Sequence, residues 1–146
     1  MVIIRNLFYI LVLFLLTGCE VQPVPIEFGK EECSFCKMTI VDRQHAAQLV
    51  TKKGKQFKYD AIECMLNDLN EKQNTQENKI YLVSDYGKSK MTTAEDATYL
   101  ISQAIKSPMG AFLSAFSSNA EATSVMTKSG GEVYNWQEIK KKYGIE

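Results

Sequence analysis

Histidine, proline and tryptophan are scarce in this 146-residue chain, which has one histidine, three prolines and one tryptophan. With His45 as the sole imidazole, most general-base schemes lose their usual proton carrier. No phosphate-cradling glycine loop, zinc-hydrolase motif or serine-histidine-aspartate motif stands in the sequence, so the commoner enzyme chemistries are not expected. Net charge is also missing. Seventeen Lys+Arg balance seventeen Asp+Glu, and without a basic excess there is no electrostatic footprint for nucleic acid. A long hydrophobic run is absent as well: Leu7 to Leu16 is ten residues, where a bilayer-crossing helix needs about 20.

That short run follows Arg5 and ends in Leu16-Thr17-Gly18-Cys19, the pattern of a secretion signal closed by a bacterial lipobox. Small residues let a peptidase approach, and the Cys19 thiol would carry a diacylglycerol. The alternative is a plain secretory signal with an incidental cysteine. Without residues 1–18 the apolar share falls from 45% to about 41%, an ordinary globular composition. Residues 19–32, with Pro23, Pro25 and no period, read as the lipidated N-terminus and a flexible tether. Residues 33–146 are long enough for one domain, and too few for separate cofactor and substrate domains. The lipid would hold the domain on a bacterial membrane, inner or outer, facing the periplasm or the cell exterior.

The expected fold class is α+β, built as two ββαβ units over 33–85 and 98–136. In the first unit, strands at Ala46 to Thr51 and Gln56 to Tyr59 flank a Lys53-Gly54 turn. Asp60 with Glu63 makes a capping-box signature, and Ile62, Met65, Leu66 and Leu69 follow at helical spacing, predicting a helix from Ala61 to about Glu71. A loop at Lys72 to Asn78 leads to a strand at Lys79 to Ser84. In the second unit the strands are Thr98 to Ile101 and Ala111 to Phe116. Ser118 with Glu121 repeats the capping signature before a helix to about Lys128, and Gly130-Gly131 leads into a strand at Glu132 to Asn135. The connector Asp85 to Ala97 has room for a short helix at Ala94 to Ala97, and Trp136 to Tyr143 reads as a terminal helix.

Four cysteines in an exported chain suggest disulfides, but lipidation of Cys19 leaves Cys33, Cys36 and Cys64, an odd number. Cys33-x-x-Cys36 alone fits a metal site, a redox dithiol or a structural disulfide. Met38 tips the balance, because an extended Cys36-Lys37-Met38 would point thiolate and thioether the same way, and that soft pair selects Cu(I). Met109, in the Ser107-Pro108-Met109-Gly110 turn, is a second candidate thioether. Cys64 lies about 150° from the centre of its helix's apolar stripe. There, off the core face, the helix dipole would lower its pKa, which makes it a candidate third sulfur ligand; the alternative is a small residue buried against the other layer. His45, at a strand entrance, is a candidate ligand or a surface residue.

These segments, together with Tyr59-Asp60-Ala61-Ile62-Glu63-Cys64-Met65-Leu66 and Ala115-Phe116, resemble the NosL-type lipoproteins, accessory copper chaperones of nitrous oxide reductase. The resemblance implies a fold similar to organomercurial lyase, Cu(I) as cargo, and nitrous oxide reductase or its assembly transporter as partner. The Cys-x-Met pair of that pattern falls on Cys36 and Met38; Cys33 and Cys64 are less general in it. Carbon–mercury cleavage is not implied, since fold likeness does not confer it. The rival readings are a membrane-tethered thiol-disulfide oxidoreductase using Cys33 and Cys36, a general copper-handling lipoprotein, and an interaction module with a structural Cys33–Cys36 disulfide.

Overall fold

The computed structural model describes residues 21–72 and 79–145. The signal segment, Cys19 and most of the Lys72 to Asn78 loop lie outside them. The elements run β1 (Ala47–Thr51), β2 (Gln56–Tyr59), α1 (Ile62–Glu71), β3 (Lys79–Ser84), β4 (Met91–Thr93), β5 (Thr98–Ile101), β6 (Leu113–Phe116), α2 (Asn119–Ser129), β7 (Glu132–Tyr134) and α3 (Trp136–Lys142). Two antiparallel sheets form, ordered β2-β1-β3-β4 and β6-β5-β7. A parallel bridge from Asp85 to Ala115 joins them.

β1 is buried along its whole length, because both faces of its sheet are covered. α1 packs on one face with β2. The other carries the segment expected to be a free tether, which from Gln22 onward is bonded to the sheet. Gln48 donates to the Val24 carbonyl at 2.9 Å, Gln56 to Gln22 at 3.1 Å, and Lys58 to Pro25 at 2.9 Å and to Glu31 at 2.7 Å. Polar side chains on the strands thus satisfy a backbone that has no ladder of its own. One large core runs through both sheets, from Ile40 and Tyr59 through Met65 and Leu66 to Tyr99, Leu113 and Trp136.

Several local expectations give way. Ala61, with an extended backbone, is the N-cap of α1, and no side chain caps it; Asp60 is turned elsewhere. Ser118 is the N-cap of α2 but makes no side-chain cap bond, and the Glu121 carboxylate that would complete a capping box reaches out to Lys88. The short helix at Ala94 to Ala97 is a turn behind β4, a strand that pairs with β3 and that the sequence reading did not foresee. β6 begins at Leu113 because Phe112, at φ 60°, breaks the extended run. Gly131 has φ +111°, and a Cβ there would stand 2.2 Å from the Ile101 carbonyl oxygen, so only glycine lets β7 approach β5.

Candidate metal centre

Cys33 to Met38 forms the tip of a small hairpin closed by a bridge between Glu32 and Thr39 and by the Cys33 N–H donating to the Met38 carbonyl at 2.8 Å. Ser34 docks that tip on the edge strand β2. Its N–H donates to the Lys58 carbonyl at 2.7 Å, and its hydroxyl accepts the Lys58 N–H at 3.1 Å. Two residues beyond Lys58 the chain turns from β2 into α1 at Asp60, and one helical turn later comes Cys64. The ligand atoms of Cys33, Cys36, Asp60 and Cys64 consequently lie within 4.8 Å of one another. Cys33, Asp60 and Cys64 are buried, Cys36 is half-buried, and the three thiols are unbridged.

The cluster polarises its own thiols. Cys33 is pushed down to about 6: Cys64 donates to its sulfur, burial opposes this, and the backbone N–H groups of Asp60, Cys36 and Phe35 add to it. Cys64, as the donor to Cys33 and by its burial, is held far above the ordinary thiol range, with Asp60 adding to the effect. This reverses the expected lowering by the helix dipole, because two neighbouring negative charges and burial outweigh a partial charge at the helix end. Cys64 is also fully buried, since α1 is enclosed on nearly all sides. Burial raises Cys36, the Met38 N–H opposes it, and Cys33 and Asp60 add to the rise. Its thiol donates to Asp60 Oδ1 at 3.4 Å. Of the three thiols, Cys33 is the one whose ionisation the surroundings favour.

The two candidate thioethers are at the surface. Lys37, at φ 65°, takes the left-handed conformation, so Cys36-Lys37-Met38 is a turn and the extended same-side argument does not apply to it. Met38 is 61% exposed and Met109 40% exposed. The Met109 loop is nevertheless tied to α1. The Ser107 hydroxyl donates to Glu63, the buried neighbour of Cys64, and accepts the Phe112 N–H at 2.9 Å. Burial raises the Glu63 carboxyl, with the Ser107 bond opposing.

His45 is neither at the surface nor in the cluster. Its Nδ1 sits 2.9 Å from Asp42 Oδ2 and its Nε2 3.2 Å from Ser114 Oγ. The connectivity is that of a hydrolase triad, but Ser114 is 0% exposed, so no substrate reaches it and the three residues brace β1 against β6. Asp60 is the site residue that the sequence reading missed. Its spacing from Glu63 reads as a helix cap, although an aspartate one turn before a cysteine also carries a ligand spacing.

The sequence pattern of the NosL family matches residues 23–144. The chain is 30% identical to the copper-binding lipoprotein NosL of Stutzerimonas stutzeri, over 92% of this chain and 78% of that protein. The crystal structure of the copper chaperone NosL from Shewanella denitrificans superposes with a TM-score of 0.71 at 21% identity, over 82% of this chain and 96% of that one.

Proposed function

The chain belongs to the NosL family, and from that premise we propose that it is a membrane-anchored carrier of Cu(I), not an enzyme, serving the assembly of nitrous oxide reductase or of its transporter complex. Cys19 would carry the lipid. Among the described residues no helix is long and apolar enough to cross a membrane. We read the two sheets with α1 and α2 as paired ββαβ units, a reading supported by the central place of β1 and β5 in their sheets.

The observation that carries the proposal is the convergence of three thiols and a carboxylate within 4.8 Å. Sulfur donors select Cu(I), and Cys33, the thiol whose ionisation its neighbours favour, offers the ion its first bond. Cys36, half-buried at the hairpin tip, supplies the second and is the ligand an incoming partner thiol reaches first. Cys64 keeps its proton for Asp60. The thioethers of Met38 and Met109 are neutral and exposed, suited to holding the ion weakly as it enters or leaves. Few ligands near the surface reconcile tight holding with release by ligand exchange.

A competition titration of the reduced protein against a chromophoric Cu(I) chelator tests this. About one equivalent is expected to bind, with the large loss of affinity in Cys33→Ser and Cys36→Ser and a small one in Met38→Leu. Unchanged affinity in both cysteine variants would sink the assignment. The low Cys33 thiol beside a half-buried Cys36 also favours a dithiol oxidoreductase as second reading. Insulin reduction by the metal-free protein, lost in Cys36→Ser, would favour that reading.

A further inference from the structure

We propose that the thiol cluster also accepts a divalent d10 cation, of the class of Zn(II) and Cd(II), held by Cys33, Cys36, Cys64 and Asp60 together, and that Asp60 is the residue that distinguishes divalent from monovalent cargo. The proposal concerns the same pocket as the copper reading and deepens it. Its starting point is the carboxylate. Asp60 is buried, it accepts the Cys36 thiol at 3.4 Å, and among the described residues no lysine or arginine pairs with it. Its hydrogen-bond partner there is a thiol. When a metal displaces the thiol protons, Asp60 is left as a buried anion that must bond to the ion or to a proton still present.

Monovalent copper has little use for a carboxylate oxygen, since soft sulfur donors satisfy it in low coordination. Zinc and its heavier relative take mixed sulfur and oxygen sets in a tetrahedron. With metal–sulfur bonds of about 2.3 Å, a tetrahedral edge is about 3.8 Å, so four ligand atoms already within 4.8 Å of one another need only side-chain adjustment. A divalent ion takes up all four of these donors, where copper in low coordination bonds to only some of them.

The test is titration of the reduced protein with Cd(II) alone, followed by the thiolate-to-cadmium charge-transfer absorption. Saturation at one equivalent is expected, with an intensity that falls by about a third in Cys64→Ser as one thiolate of three is lost. Asp60→Asn should weaken Cd(II) by at least about 100-fold, since loss of even a supporting group costs about 10–100-fold, while Cu(I) affinity in the chelator competition changes several-fold at most. A protein that binds Cu(I) and ignores Cd(II) overturns the proposal and leaves the copper reading standing; one that binds neither overturns both. Equal weakening of the two ions by Asp60→Asn also overturns it, because Asp60 would then merely arrange the thiols. If Asp60→Asn does not fold, Cys64→Ser decides alone: unchanged Cd(II) affinity and intensity refute the proposal.

Discussion

Helices α1 and α2 occupy the same place in chain order, each after the second strand of a three-strand set, and differ in almost everything else. α1 buries seven of its ten residues, among them Glu63, Cys64 and Asp68, and lies between the first sheet and the second. α2 buries only Ala122 and covers one face of the second sheet like a lid. Enclosure is what allows thiols and a carboxylate to act on one another, because at a low local dielectric a neighbouring charge moves a proton that water would have screened. The same arrangement with the helix at the surface gives no such chemistry. Function therefore collects where the helix is shut in, at its first turn and at the hairpin that caps it.

Copper binding tests this contrast most severely. Loss of either cluster ligand at the hairpin, Cys33→Ser or Cys36→Ser, is expected to reduce Cu(I) affinity by at least the 10–100-fold, roughly, that removal of even a supporting group costs a metal site. Substitutions on the exposed face of α2, such as Thr123→Ala, should leave it unchanged in the same chelator competition. An α2 variant that weakens copper would show the lid to be part of the site.

Stability comes next. Leu66 is fully buried in the large core, and Leu66→Ala should cost about 2–5 kcal/mol. Val125, half-buried on α2 beside the small cluster of Leu100, Ile105, Phe116 and Ala122, should cost about 1 kcal/mol or less on truncation to alanine. Urea midpoints at unchanged slope would measure both. Similar losses would mean that the second half is as tightly packed as the first.

Much of this organisation is legible in the residues. The spacing of Ile62, Met65, Leu66 and Leu69 announces α1, and the strands of both sheets other than β4 follow from alternation and glycine turns. The cluster is legible only in part. Cys33, Cys36 and Cys64 stand out by their chemistry, but nothing local says that Ser34 docks the hairpin on β2, and without that contact Asp60 remains an ordinary cap residue. The wheel placed Cys64 off the apolar stripe correctly and still misled, since a helix enclosed on nearly all sides has no solvent face. His45 was unreadable for a similar reason, as its partner Ser114 lies in the other sheet.

Acid should probe the junction between the halves. Asp85, buried after β3, accepts the Ser117 N–H at 2.7 Å, the Ser117 hydroxyl at 2.6 Å and the Lys88 N–H at 2.8 Å. Burial works to raise its carboxyl, but the bonds from Ser117 and Lys88 prevail and hold it below the ordinary aspartate value. A carboxyl lowered on folding adds stability that is complete above its unfolded pKa of about 3.9 and is lost as pH falls through the lower folded value. The stability difference between the parent and Asp85→Asn should thus stay level from about pH 7 to pH 5 and shrink below about pH 4, at about 1–3 kcal/mol for charged hydrogen bonds. A difference independent of pH would show that the two sheets are joined by packing and not by this carboxylate.

The smallest effect belongs to the helix ends, where the two halves were expected to match. Asp60 with Glu63 and Ser118 with Glu121 both carry the capping-box spacing, and in neither does the side chain cap its helix: Asp60 serves the thiols and Glu121 serves Lys88. The box forms at α3 instead. Asn135 accepts the Glu138 N–H at 2.9 Å, and Glu138 accepts the Asn135 N–H at 2.8 Å. Spacing supplies the opportunity for a cap, and the side chain takes it only when no stronger partner competes. Asn135→Ala should then cost about 1 kcal/mol, while Ser118→Ala, where no cap bond exists, should cost a few tenths at most. Thermal unfolding of the two variants side by side measures the difference. Equal losses would mean that the Ser118 hydroxyl caps α2 in solution, and that the second half is built more like its sequence than like its structure.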